Sequence, residues 1–209
     1  FYQCENLESV EIKAKIPTIG RSMFYGCPKL TNVILPDTIT KIDVGAFNDC
    51  DSLETLVLPE GLEVIEEGAF SASQKLTNVN LPESLTKIGY EAFSSTNINN
   101  ITIPANVTSI GERAFANTAN LSNFAVDENN SSFMYDGKAL YTKDKSRLIC
   151  YFIANDDKIY VVENELQTID RDAFIGNAHL ERITIPDSVT DMDTAFGGCT
   201  NLRSAAIGE

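Results

Sequence analysis

The 209-residue sequence predicts a β-rich repeat solenoid, and three observations carry that prediction. Phenylalanine recurs at Phe1, Phe24, Phe47, Phe70 and Phe93 with a constant step of 23 residues, at Phe115 after 22, and at Phe174 and Phe196, again 22 apart. Whole phrases return with it: "LPDTITKIDVGAF" at 35–47, "LPESLTKIGYEAF" at 81–93 and "IPANVTSIGERAF" at 103–115. Apolar residues keep fixed places between the phenylalanines. A period of this length is the signature of stacked units, none of which buries its apolar face alone.

Counting each phenylalanine as the first place, the seventh is Leu7, Leu30, Leu53, Leu76, Leu121, Leu180 or Leu202, with Ile98 in the shortened fifth copy. The tenth and twelfth, such as Val33 and Leu35, Val79 and Leu81, or Ile183 and Ile185, are two apart. In an extended strand both side chains then point inward. Proline follows at Pro36, Pro59, Pro82, Pro104 and Pro186, where its missing N–H and fixed φ end the ladder. A second apolar pair comes at a spacing of three, as in Ile39 and Ile42 or Leu85 and Ile88. The segment carrying Ala-Phe, such as "GERAFANTANL", reads as a short helical or 3₁₀ turn whose phenylalanine plugs the end of the coil.

With these places in view, the chain resembles the BspA-like leucine-rich repeat family, whose repeat is written around L-x-x-V-x-L-P, L-x-x-I and A-F-x-x-C. The resemblance covers essentially the whole chain, and Cys4, Cys27, Cys50 and Cys199 stand at the fourth place that the family often gives to cysteine. It implies a right-handed, curved solenoid with about nine strands in a parallel sheet, found in secreted or surface-displayed proteins. Members with known roles act as adhesins toward host matrix proteins, host cells or other microbes.

The reading is one solenoid domain over 1–209, with regular repeats at 1–126 and 160–209 and an irregular insert at about 127–159. Within the insert, "KALYTKDKSRLICYF" reads as a β-hairpin around the polar "KDKS". Inserts of this D-G-x-L-Y kind also recur in BspA-like proteins. Phe1 already closes a preceding repeat and no polar cap is evident at either end, so the sequence reads as a piece of a longer chain.

Thirty acidic against sixteen basic residues give a net charge of −14, which argues against nucleic acid or an anionic membrane as partner. No apolar run is long enough to span a bilayer. Acidic residues recur after the strand at Asp37, Glu60, Glu83 and Asp187. They either keep an exposed β-surface soluble or face a basic partner.

Four of the five cysteines share one place with Ser73, Thr96, Thr118 and Asn177, so the reading is a column of small side chains that bond or pack near the turn. Adjacent members, one coil apart, also lie within disulfide reach, and the sequence leaves their redox state open. No C-x-x-C or histidine pair points to zinc, and "DENN" at 127–130 and "NDD" at 155–157 match no ordered calcium loop. Neither a cofactor nor catalysis is expected: the single His179 stands at a variable solvated place, and no nucleophile, phosphate or dinucleotide motif occurs.

Binding remains. Places nine and eleven alternate with the core residues and face outward, which selects Asn32, Ile34, Thr55, Val57, Asn78, Asn80, Asn100 and Thr102 as a candidate concave face. Its amides and hydroxyls suit protein or sugar, with Ile34 and Val57 as apolar anchors; the same residues also suit cross-strand ladders that serve stability alone. The hairpin, with Tyr141, Lys143 and Lys145, is the second candidate because it carries local positive charge. The expected partner is a host matrix or cell-surface protein, or a glycan, met outside the cell. A structural spacer is the contrasting reading.

Overall fold

The computed structural model describes residues 1–208, which fall into two compact units, 1–131 and 132–208. Unit 1 contains β1 (Ser9–Glu11), β2 (Thr18–Ile19), β3 (Asn32–Ile34), β4 (Lys41–Ile42), β5 (Val64–Ile65), β6 (Lys87–Ile88), β7 (Asn100–Ile103), β8 (Ser109–Ile110) and β9 (Asn123–Val126). Unit 2 contains β10 (Phe133–Tyr135), β11 (Ala139–Thr142), β12 (Arg147–Tyr151), β13 (Ile159–Val161), β14 (Thr168–Ile169), β15 (Arg182–Ile185) and β16 (Ser204–Ile207). The repeat is a β-solenoid in both.

The coils of unit 1 are tied to one another along three columns, the first of them incomplete. In the first, parallel pairing joins β1 to β3 and β7 to β9, and Val33, Leu56, Val79, Ile101 and Phe124 point into the core. The second column is a five-stranded parallel sheet, β2-β4-β5-β6-β8, in which Ile19, Ile42, Ile65, Ile88 and Ile110 share one buried register. β-Branched isoleucine fills such a buried pleat well.

The third column corrects the expected helical or 3₁₀ turn: no helix of either kind forms among the described residues. The Ala-Phe segment is a run of hydrogen-bonded turns whose alternate amides leave the coil. Gly45, Phe47 and Asp49 donate to the carbonyls of Glu67, Ala69 and Ser71 one coil on, at 2.9, 2.8 and 3.0 Å. Ala46 and Asn48 between them donate back to Asp43 and Gly45. Two left-handed residues per turn, such as Gly45 (φ 61°) and Asp49 (φ 56°), break any helical run. Non-glycine residues bear this strain at Glu91, Ser95, Arg113 and Asn117, and the bonds between coils offset its cost of about 1–2 kcal/mol apiece.

The recurring phenylalanines form a stack. From Phe1 through Phe24, Phe47, Phe70 and Phe93 to Phe115, ring centroids are 5.2–5.9 Å apart and planes lie within 16°. Phe124 closes it edge-on against Phe115. Beside it runs the small-residue column, and its cysteines are free thiols. Cys27, Cys50 and Ser73 donate to the carbonyls of Phe1, Phe24 and Phe47 in the preceding coil, at 3.2, 3.2 and 2.6 Å. Thr96 and Thr118 instead donate within their own coil, to Phe93 and Phe115, at 2.8 and 2.6 Å. That switch falls where the repeat shortens from 23 to 22 residues.

Unit 2 opens with the expected hairpin, β11 and β12, extended to three antiparallel strands by β10. β12 then pairs in parallel with β14, matching Leu148 to Ile169. At its end Tyr151 donates to the Ala173 carbonyl at 2.8 Å, the bond that Phe47 makes to Ala69. Tyr151 therefore stands where a coil would supply phenylalanine, followed in the stack by Phe174 and Phe196. Arg147 forks onto the buried carboxylate of Asp170, with Nη2 donating to Oδ2 at 2.7 Å. β13, β15 and β16 form the strand sheet of this unit.

Candidate functional site

The eight sheet residues selected from the sequence all lie exposed on one face of unit 1. Burial of the residues between them fixes this: with Val33, Leu56, Val79 and Ile101 inside, the pleat turns Asn32, Ile34, Thr55, Val57, Asn78, Asn80, Asn100 and Thr102 to solvent. Ile34 is 51% and Val57 84% exposed, which is high for aliphatic side chains one coil apart. Among the described residues no side-chain hydrogen bond joins Asn32, Asn78, Asn80 and Asn100 to one another; Asn78 donates only to its chain neighbour Thr77, at 3.2 Å. These amides are available to a partner.

The middle of this face is opened. β1 pairs with β3 over three residues and β7 with β9 over four, but Thr55 meets Asn78, and Asn78 meets Asn100, through single bridges. Beyond the first bridge a groove of about 500 Å³ lies between Thr55–Leu58 and Asn78–Leu81, reaching Glu60 and Glu83. A smaller cavity of about 200 Å³ adjoins it at Asn80, Asn100 and Thr102. The groove was not read from the sequence. Its one trace there is asparagine, a poor strand former, at both 78 and 80.

The hairpin candidates in unit 2 divide. Tyr141 is corrected: it is 3% exposed, and its hydroxyl lies 2.6 Å from that of Tyr160. Strand β11 is covered on both faces, so alternation does not bring one side to solvent. Burial and the bond to Tyr160 push the Tyr141 phenol well above its usual range. Lys143 is exposed. Lys145 donates to Glu163 at 2.7 Å, which raises its pKa, and in the same turn hydrogen bonds from Thr142 and Ser146 hold Asp144 down at about 2. Lys145 is therefore paired with Glu163, and the ionised Asp144 stands between the two lysines in the chain, so the net positive charge expected of this turn is not present.

Among the described residues no helix is long and apolar enough to cross a membrane. The family model of the BspA type leucine rich repeat region matches in six copies, over residues 1–135 and 154–209. A leucine rich cell surface protein from Faecalibacterium prausnitzii is 34% identical, with a TM-score of 0.88 over 100% of this chain and 56% of its own. A leucine-rich repeat protein from Eubacterium ventriosum (24% identity, TM-score 0.83, 96% of this chain, 60% of its own) shares the fold. So does the pneumococcal vaccine antigen PcpA (24%, 0.73, 100% and 62%). The chain thus spans less than two thirds of each. No curated protein matches. Repeat spacing, turn ladder and family model agree over nearly every coil, and the chain belongs to the BspA-type leucine-rich repeat family.

Proposed function

We propose that the chain is a non-enzymatic interaction module of an extracellular or cell-surface protein, and that the sheet face of unit 1 adheres to a host matrix protein, a host or microbial cell surface, or a glycan. The carrying observation is the coincidence on one face of strongly exposed Ile34 and Val57 with amide side chains that make no ladder of their own. A partner that covers Val57 removes apolar surface from water and completes the hydrogen bonds of Asn32, Asn78 and Asn100. The likeness to a cell surface protein supports the location. Repeat solenoids also bind in general through such extended faces.

The test is binding of the soluble chain to a panel of matrix proteins and glycans, beside a variant with Asn32, Thr55, Asn78 and Asn100 changed to Lys. Saturable binding that the variant loses is the expected result. Binding that the variant keeps moves the site off this face, and no binding by either favours a spacer.

A further inference from the structure

We propose that the groove between coils three and four of unit 1 is a receptor for a lysine or arginine side chain of the partner protein. The proposal rests on the interaction reading above and names the chemistry that the face selects.

The observations are local. The strand ladder stops after the bridge from Thr55 to Asn78, so a slot opens between two neighbouring coils instead of a closed sheet. Its floor is apolar: Leu56 and Leu58 are buried beneath it, and Val57 stands exposed at its wall. Asn78 and Asn80 line the other wall with amide groups. At its mouth are the carboxylates of Glu60 and Glu83, both exposed and one coil apart. Elsewhere in unit 1, Glu66 binds Lys41 and Lys87, and Glu91 binds Arg113. No ion pair engages Glu60 or Glu83 among the described residues.

Their backbones are held. The Glu60 carbonyl accepts a hydrogen bond from Ser84 Oγ at 2.6 Å, and the Glu83 carbonyl accepts one from Asn106 Nδ2 at 2.8 Å. The corner that carries both carboxylates is therefore fixed before any ligand arrives, which lowers the ordering cost of binding.

An apolar floor with two charges at the mouth is complementary to a side chain with an aliphatic stem and a cationic head. The stem covers Val57 and the head meets Glu60 and Glu83. A carboxylate ligand is repelled at the mouth, and a purely aliphatic one leaves both charges unsatisfied. The net charge of −14 favours encounter with a basic surface.

The experiment is an NMR titration of the ¹⁵N-labelled chain with capped pentapeptides: glycines flanking lysine or arginine, and the same peptides with neutral norleucine or citrulline. Lysine and arginine peptides are expected to shift the amides of Val57, Asn78 and Asn80 saturably, while the neutral peptides do not. Glu60→Gln with Glu83→Gln weakens that binding by roughly tenfold, as loss of charge-assisted contacts would. Glu63→Gln with Glu128→Gln removes the same net charge elsewhere and leaves it unchanged. Equal response to the neutral peptides, shifts that avoid the groove, or equal loss in the control variant overturns the proposal. The two readings fail separately. Capture of a protein partner that survives Glu60→Gln/Glu83→Gln but not the sheet-face variant keeps the face and discards the groove; lysine binding with no partner captured does the reverse.

Discussion

Tyr151 stacks on Phe174 with 4.9 Å between ring centroids and 20° between planes, although the two belong to different kinds of backbone, an antiparallel hairpin strand and a solenoid turn. The hairpin thus supplies the ring that the interrupted repeat would have contributed. Its hydroxyl, which phenylalanine lacks, donates to Asp157 at 2.6 Å.

Removing that ring is therefore expected to cost as much as removing a repeat phenylalanine. Tyr151→Ala should destabilise unit 2 by about 3–5 kcal/mol, and Tyr151→Phe by about 1.5 kcal/mol for the bond to Asp157 alone. Urea denaturation of the two variants measures the difference; equal costs would mean that the hydroxyl, and not the ring, holds the hairpin.

Burial pushes the Cys50 thiol up to about 12 from an ordinary 9.0. Between those values the unfolded chain loses a proton that the folded chain keeps, so stability is full below pH 9 and falls as pH rises toward 12. Denaturation midpoints between pH 8 and 11 should decline less steeply in Cys50→Ala than in the parent. A thiol reagent at pH 8 should leave Cys50 unmodified until the protein unfolds.

Gly89 and Gly20 hold the same place in their coils but differ in what surrounds them. A Cβ on Gly89 would fall 2.5 Å from the backbone of Glu66 and Glu67, whereas one on Gly20 meets nothing within 4 Å. Gly89→Ala is expected to cost about 1–3 kcal/mol and Gly20→Ala to be neutral or slightly stabilising. Thermal melting of the pair checks this.

Arg147 and Asp170 form a forked pair whose carboxylate is buried. Arg147→Ala takes the guanidinium away from a charge that has left water, and about 3–5 kcal/mol should be lost. Arg147→Lys restores a charge without the fork and is expected to recover only part of it, as calorimetry would show.

The sequence carried the solenoid because one rule, apolar residues two apart before proline and phenylalanine every 22 or 23, is obeyed in coil after coil. It carried the outward face for the same reason: once Val33 and Val79 are inside, Asn32 and Asn80 are out. Three features were less legible. The turn geometry is set by lateral bonds between coils, so left-handed residues such as Glu91 and Arg113 give no local signal in place of glycine. Tyr141 was misread because it was chosen for the lysines that follow it, and charged neighbours in the turn carry no signal that β11 itself is covered on both faces. The opened ladder at Thr55 and Asn78 arises in copies whose apolar spacing matches that of their closed neighbours.

The fifth coil is one residue short, yet Phe93 and Phe115 remain 5.9 Å apart and within 2° of parallel. The missing residue is absorbed at the corner where Thr96 turns its hydroxyl onto its own coil. Such a corner works as an expansion joint: one residue is gained or lost there without moving the ring column. The Phe174–Phe196 coil, also 22 residues long, keeps Leu180 at its seventh place and drops its residue instead between Met192 and Phe196, where the rings still stack at 4.9 Å. Two corners of the coil therefore absorb a change of one residue while the ring column keeps its spacing, and natural insertions and deletions should gather at those two corners.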